Sequence, residues 1–264
     1  MSTTNWSDLR PRIISGLVLA SIGFFAVIMG GITFSLFVAL CCGLMIWELS
    51  NITARLPILS YPLAALSGVA TFFWLSTGLL VDLFLVMVLP ALIAFLASKE
   101  HLRVFLFAAM IGATGMVLQL LRLDLGLVWL LWLILVVVST DIAGYFAGRL
   151  IGGPKFWPSL SPKKTWSGTA AGWVAAGLIG ALFDASVFGP FVLFSVAVSM
   201  ASQLGDIAES ALKRRFEIKD SSNLIPGHGG FLDRFDGMIA ASLAIGVLSL
   251  VLPNGLLMFD LGPK

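Results

Sequence analysis

Asp206 and Glu209 close one long apolar run, and Asp233 and Asp236 open the next. On a continuing helix Asp206, Glu209 and Lys213 share one face, because they are spaced by three and four. Two carboxylates at the end of a membrane helix are costly unless paired or bound to a cation. Asp233 and Asp236 stand three apart where a helix would begin. Such a place favours anions, and carboxylates there can also hold a metal ion. Between the two pairs run Lys213, Arg214, Arg215 and Lys219, then Pro226-Gly227-His228-Gly229-Gly230. The cations can hold phosphate, and the glycines let backbone amides approach a ligand. Plainer readings exist for each piece: a Glu209–Lys213 ion pair, a basic orientation signal beside a membrane helix, and a structural histidine.

A second cluster lies upstream. Asp141 sits inside an otherwise apolar run, followed by Tyr145, Gly148 and Arg149. An ionisable residue inside a span is a functional candidate by default. Ser161-Pro162-Lys163-Lys164-Thr165-Trp166-Ser167-Gly168 precedes another apolar run. Lysines, hydroxyls and a glycine before a helix N-terminus form a phosphate cradle. The glycine spacing of a Walker A loop is absent. Carboxylates for a hard cation, cations and amides for phosphates, and a bilayer for a lipid suit phosphoryl or nucleotidyl transfer to a lipid. These residues do not choose the nucleotide.

The elements that must position these groups are membrane helices. The chain has 264 residues, 59% hydrophobic and 11% charged, with a mean hydropathy of +1.02. Soluble domains carry about 25% charged residues, so an ordinary soluble fold is excluded. The net charge of +2 implies no polyanion-binding surface of the kind nucleic acid requires. Cys41 and Cys42 are adjacent within an apolar run and read as packing residues. A span needs about 20 apolar residues. That ruler gives nine spans, near 13–30, 32–48, 58–76, 78–97, 104–121, 125–147, 168–184, 187–206 and 237–254. The polar stretch Glu48 to Pro57 separates the second from the third. With a cytoplasmic N-terminus, fourteen of the sixteen Lys and Arg residues fall on the cytoplasmic side, Arg55 and Lys99 among them. Arg122 and Lys264 remain opposite. That asymmetry follows the positive-inside rule and supports nine spans with the N-terminus inside.

The expected fold is therefore all-α and polytopic. Residues 1–135 read as a hydrophobic scaffold of about five and a half helices. Residues 136–264 read as the catalytic region, with cytoplasmic loops 148–167 and 205–236. A transporter would concentrate polar groups near the bilayer midplane, whereas here they gather at one face.

Ser210-Ala211-Leu212-Lys213-Arg214, Lys219-Asp220, Pro226-Gly227-His228-Gly229-Gly230 and Asp233-Arg234-Phe235-Asp236, in that order, closely resemble the signature of the phosphatidate cytidylyltransferases. Ser161 to Thr165 and the Asp141/Tyr145/Gly148/Arg149 set resemble a second, weaker region of that family. One departure is Ser167, where many members carry glutamate. The resemblance implies transfer of CMP from CTP to phosphatidate, giving CDP-diacylglycerol and pyrophosphate, with Mg²⁺ and the identity of any second metal left open. It implies Asp206, Asp233, Lys213 and Asp236 as catalytic residues and Asp206, Asp233, Asp236 and Asp141 as metal ligands. Its implied substrate-binding set is Ser161, Lys163, Lys164, Thr165, Arg214, Lys219, His228, Gly229, Gly230 and Arg234. Within that set the basic residues hold phosphates, and His228 with its glycines shapes a loop over the nucleotide. It also implies a homodimer. A lipid-alcohol kinase using CTP is the nearest rival. The short chain points to a bacterial inner membrane, with the site facing cytoplasmic CTP.

Overall fold

The computed structural model describes residues 9–53, 57–73, 84–98, 100–183 and 189–251. Arg55, Lys99 and Lys264, used above to orient the chain, lie outside the described residues. So do residues 74–76 and 78–83 of the third and fourth expected spans, 184 of the seventh, 187–188 of the eighth and 252–254 of the ninth.

Among the described residues the α-helices are α1 (Leu9–Met29), α2 (Gly31–Thr53), α3 (Ser60–Phe72), α4 (Leu89–Ala97), α5 (His101–Gln119), α6 (Leu127–Leu150), α7 (Trp166–Phe183), α8 (Pro190–Arg215) and α9 (Leu232–Val251). Each falls on one of the apolar runs read from the sequence. Among the described residues six segments are long and apolar enough to cross a membrane: Pro11–Met29, Gly31–Thr53, His101–Asp124, Leu127–Leu150, Trp166–Phe183 and Pro190–Arg215. Phe84–Leu96 is apolar but shorter. The protein is an α-helical membrane protein. Its backbone contacts gather into two compact units, residues 1–119 with 216–235, and residues 120–215 with 236–264.

In the first unit α2 packs along α3 through small residues. A Cβ at Gly43 would lie 3.0 Å from the Ala64 carbonyl oxygen, and one at Gly68 would lie 3.2 Å from that of Ala39. Such close approach supplies the van der Waals contact that drives helix association where lipid is as apolar as leucine. The buried Gln119 Nε2 donates to the Thr71 carbonyl at 2.7 Å, which ties α5 to α3.

In the second unit α6, α7 and α8 pack against one another. Trp132 is fully buried, stacks on Phe194 and donates its indole N–H to Ser195 Oγ at 2.9 Å. One turn pair further along, Thr140 Oγ1 donates to Ser199 Oγ at 2.8 Å. These polar contacts join α6 to α8. Between α6 and α7 the expected cytoplasmic loop 148–167 contains a hairpin that the sequence reading did not anticipate. Its strands, β1 (Lys155–Trp157) and β2 (Ser161–Thr165), are antiparallel. β2 runs directly into α7, and Thr165 Oγ1 accepts the Gly168 N–H at 3.2 Å, capping that helix.

Candidate active site

The second unit assembles its site around α8. A Cβ at Gly205 would lie 2.5 Å from the Asp236 carbonyl oxygen, and one at Gly237 would lie 2.6 Å from Ser202 Oγ. Glycine at both positions lets α9 press its backbone onto α8. Asp236 consequently lies within electrostatic reach of Asp206, Asp141 and Lys213. Lys213 makes a 2.6 Å ion pair with Glu209, whose side chain is 1% exposed. This is the pair the sequence allowed at a solvated helix end, but it is buried.

Lys164, on β2, extends its ammonium to Asp206 Oδ2 at 2.6 Å and to the Gln203 carbonyl at 3.1 Å. Both partners of this pair remain partly exposed, at 23% and 38%. Lys164 and Asp206 border a cavity of about 450 Å³, together with Asp141, Lys163, Thr165 and Arg149. Arg149 donates to the Tyr145 hydroxyl at 2.7 Å, and Tyr145 also lines the cavity. Arg214 Nε donates to the Leu160 carbonyl at 2.8 Å, bracing the hairpin turn from α8. Ser161 pairs with Trp157 in the hairpin ladder. Ser167, at the departure from the family pattern, donates its hydroxyl to the Gly152 carbonyl. The cavity thus gathers cations and carboxylates in one lining.

In the first unit the connector 216–235 carries the other predicted residues. Gly229 takes a φ of +80°, which only glycine adopts readily, and the Ile225 N–H donates to its carbonyl at 2.8 Å. His228 Nδ1 lies 3.0 Å from Ser15 Oγ on α1. Arg234 Nε donates to the His228 carbonyl at 3.0 Å. Asp233 Oδ2 accepts three hydrogen bonds, from Ser221 N at 2.8 Å, Ser221 Oγ at 2.9 Å and Gly230 N at 2.7 Å. Lys219 is exposed. The predicted residues therefore form two groups, one in each unit.

Residues 10–251 match the Cytidylyltransferase family. The chain belongs to that family. A phosphatidate cytidylyltransferase of Brucella suis is 40% identical over 257 residues, covering 89% of this chain and 91% of the relative. One from Bacillus subtilis is 32% identical over 268 residues, covering 88% and 94%. One from Haemophilus influenzae is 32% identical over 278 residues, covering 88% and 96%.

This cytidylyltransferase chain also contains a residue that the sequence reading passed over. Glu48 lies fully buried in α2. Its carboxylate accepts hydrogen bonds from the Ser221 and Ser222 hydroxyls and from the Phe231 and Leu232 amides. The available signal was a lone acid on a segment long enough to span the bilayer, the same signal that marked Asp141. Glu48 instead read as the start of a polar stretch, because it sits near the end of its apolar run.

Whether the carboxylates suit Mg²⁺ is a question of donor chemistry. Among the described residues no group of three or more His, Cys, Asp or Glu side chains forms a ready-made cage. Mg²⁺ does not need one: it usually takes one or two carboxylates, waters and substrate phosphate. Asp206 and Asp236, on helices that touch backbone to backbone, meet that requirement with hard oxygen donors. Asp233 Oδ2 is committed to its loop, so the oxygen that would face a cation there is Oδ1.

Proposed function

We propose that this chain transfers CMP from CTP to phosphatidate, giving CDP-diacylglycerol and pyrophosphate, at the cytoplasmic face of a bacterial inner membrane. The observation that carries the reading is the cavity lined by Lys163, Lys164 and Arg149 together with Asp141 and Asp206. A cradle of cations beside carboxylates suits polyphosphate recognition, and the family relationship supplies the nucleotide and the lipid.

The chemistry asks for alignment and charge stabilisation. A phosphatidate oxygen attacks the α-phosphorus of CTP, a new P–O bond forms, and the bond to the β-phosphate oxygen breaks as pyrophosphate leaves. The lipid phosphate is itself the nucleophile, so no enzyme nucleophile is needed. The protein holds the two phosphates in line and offsets the charge on the leaving group. Lys163, Lys164, Lys213 and Arg214 are the phosphate-holding cations, with Ser161, Thr165, Lys219 and Arg234 completing the substrate set. His228, Gly229 and Gly230 shape the loop for the nucleotide. Asp206 and Asp233, with Asp236 and Asp141, would hold Mg²⁺. When bound, the ion would neutralise phosphate charge. Nine spans with a cytoplasmic N-terminus, and a homodimer in the bilayer, complete the reading. The charge asymmetry of the sequence supports the orientation.

The test is purified protein incubated with phosphatidate and radiolabelled CTP. Lipid-linked CMP and pyrophosphate are expected. Release of CDP with a phosphorylated lipid would instead identify a lipid-alcohol kinase, and no lipid-linked label in the presence of Mg²⁺ would overturn the reading. Replacing Mg²⁺ with excess chelator is expected to abolish transfer.

A further inference from the structure

Glu48 belongs to a helix long and apolar enough to span the bilayer, yet its carboxylate is buried among donors rather than lipid. An unpaired charge in such a place is costly, so its four partners identify what it is for. Oε1 accepts from Ser222 Oγ at 2.6 Å and from the Phe231 amide at 2.9 Å. Oε2 accepts from the Leu232 amide at 2.7 Å and, as the longer arm of a bifurcated bond shared with Asp233, from Ser221 Oγ at 3.2 Å. Phe231 and Leu232 stand at the start of α9, where amides lack intrahelical acceptors and the helix dipole favours an anion. All four donors come from the 216–235 connector, more than 170 residues away in sequence.

The same connector carries Asp233, and one side chain joins the two acids. Ser221 Oγ lies 2.9 Å from Asp233 Oδ2 and 3.2 Å from Glu48 Oε2. The Gly230 amide completes the Asp233 shell at 2.7 Å. A Cβ at Gly230 would collide with both Ser221 Oγ and Glu48 Oε1. The packing around this pair of carboxylates therefore leaves no room for any residue but glycine.

We propose that Glu48 is a positioning residue for Asp233. It fixes the first amides of α9 and the Ser221 hydroxyl, and so sets the direction of the Asp233 carboxylate. The proposal rests on the reading of Asp233 as a residue of the reaction centre. Partners that orient a metal-facing carboxylate typically contribute about 10- to 100-fold in metal affinity or activity.

Glutamine is the sharp substitution. Both Glu48 oxygens face a backbone N–H, so an amide NH₂ at either end would point donor at donor. Glu48→Gln keeps the volume and loses the function, while Glu48→Asp keeps the charge at shorter reach. The experiment measures CMP transfer by detergent-solubilised full-length protein as a function of Mg²⁺, alongside hydrogen exchange of the 229–235 amides. Glu48→Gln is expected to lower kcat roughly 10- to 100-fold and raise the half-saturating Mg²⁺. The KM for phosphatidate should stay within about twofold, and the Phe231 and Leu232 amides should exchange about tenfold faster, as expected for loss of a hydrogen bond to a charged group. Activity should rank Asp above Gln. Gln equal to or better than Asp would mean that Glu48 only fills space, and would overturn the proposal.

If Glu48→Gln does not accumulate in the membrane, Ser221→Ala removes the bridge alone. It is expected to lower kcat several-fold with raised Mg²⁺ demand, and unchanged kcat would overturn the proposal. Asp233→Asn runs in parallel. An inactive Asp233→Asn beside a fully active Glu48→Gln defeats the Glu48 role only. A near-normal Asp233→Asn defeats the reading of Asp233, and the proposal with it.

Discussion

Two sets of carboxylates in this molecule are stabilised in opposite ways. In the first unit Glu48 and Asp233 are met by neutral donors: hydroxyls of Ser221 and Ser222 and amides of Ser221, Gly230, Phe231 and Leu232. In the second unit Asp206 and Glu209 are met by ammonium groups, those of Lys164 and Lys213. Fixed dipoles satisfy a carboxylate without offering an exchangeable charge, so the first arrangement is a rigid mount. An ion pair can trade partners: the lysine can move to a phosphate and the carboxylate to a cation, with total charge conserved. The second arrangement thus suits a place where phosphates arrive and leave.

The largest effect that could break this comparison belongs to Asp206. Asp206→Asn removes the charge that both Lys164 and a cation would seek. Turnover is expected to fall by about a thousandfold, the scale seen when a preorganised electrostatic group is lost, while the protein remains in the membrane. Near-normal CMP transfer would mean that Asp206 merely anchors the hairpin through Lys164.

Glu209→Ala tests the buried member of the same set. It would remove the ion-pair partner of Lys213, whose side chain is only 15% exposed. Breaking a buried pair from one side costs roughly 3–5 kcal/mol, so thermal unfolding in detergent should shift well below the parent. Glu209→Ala with Lys213→Ala should recover much of that stability while activity stays low, because the coupling between neighbours is not additive. Full recovery of both would remove Lys213 from the substrate set.

A smaller and reversible contrast comes from salt. The Lys164–Asp206 pair is partly exposed and should be screened at about 1 M salt, where the Debye length is about 3 Å. The hydrogen bonds of Glu48 are buried and should not respond. The KM for CTP should rise several-fold at high salt, with hydrogen exchange at Phe231 and Leu232 unchanged. Faster exchange at those amides would show that the two regions do not differ in kind.

The helices were legible because hydropathy alone locates them: every described helix falls on an apolar run. The cavity group was legible because its members, Asp141, Lys163, Lys164, Thr165 and Asp206, are polar residues in an apolar background. Two features were hidden for physical reasons. Strands as short as Lys155–Trp157 carry too few residues to show a period-two pattern, so the hairpin read as a loop. Glu48 stood out in type but not in partner, since Ser221 and Leu232 meet it only through tertiary packing. A sequence reveals that a buried charge must be satisfied and leaves open by whom.

Thr165 gives the finest division between mount and exchange site, because it belongs to both descriptions. It lines the cavity, which places it among substrate residues, and its Oγ1 accepts the Gly168 amide, which makes it a helix cap. Thr165→Val preserves shape and removes the hydroxyl. Losing a cap costs about 1 kcal/mol, so a modest drop in thermal stability is expected on either account. The two accounts separate at the substrate. If Thr165 only caps α7, the KM for CTP stays within about twofold and Thr165→Ser is indistinguishable from the parent in stability. If its hydroxyl also meets phosphate, KM rises further than one helix turn's loosening can explain, on the scale of a lost hydrogen bond to a charged group, roughly 1.5–3 kcal/mol or tenfold and above. The 3.2 Å bond already made to Gly168 uses the hydroxyl oxygen as acceptor. Its proton goes to Ser167 Oγ at 3.1 Å, because Ser167 gives its own to the Gly152 carbonyl, so a phosphate must displace Ser167 to use it, and a rise in KM at the low end of that scale is the outcome expected here.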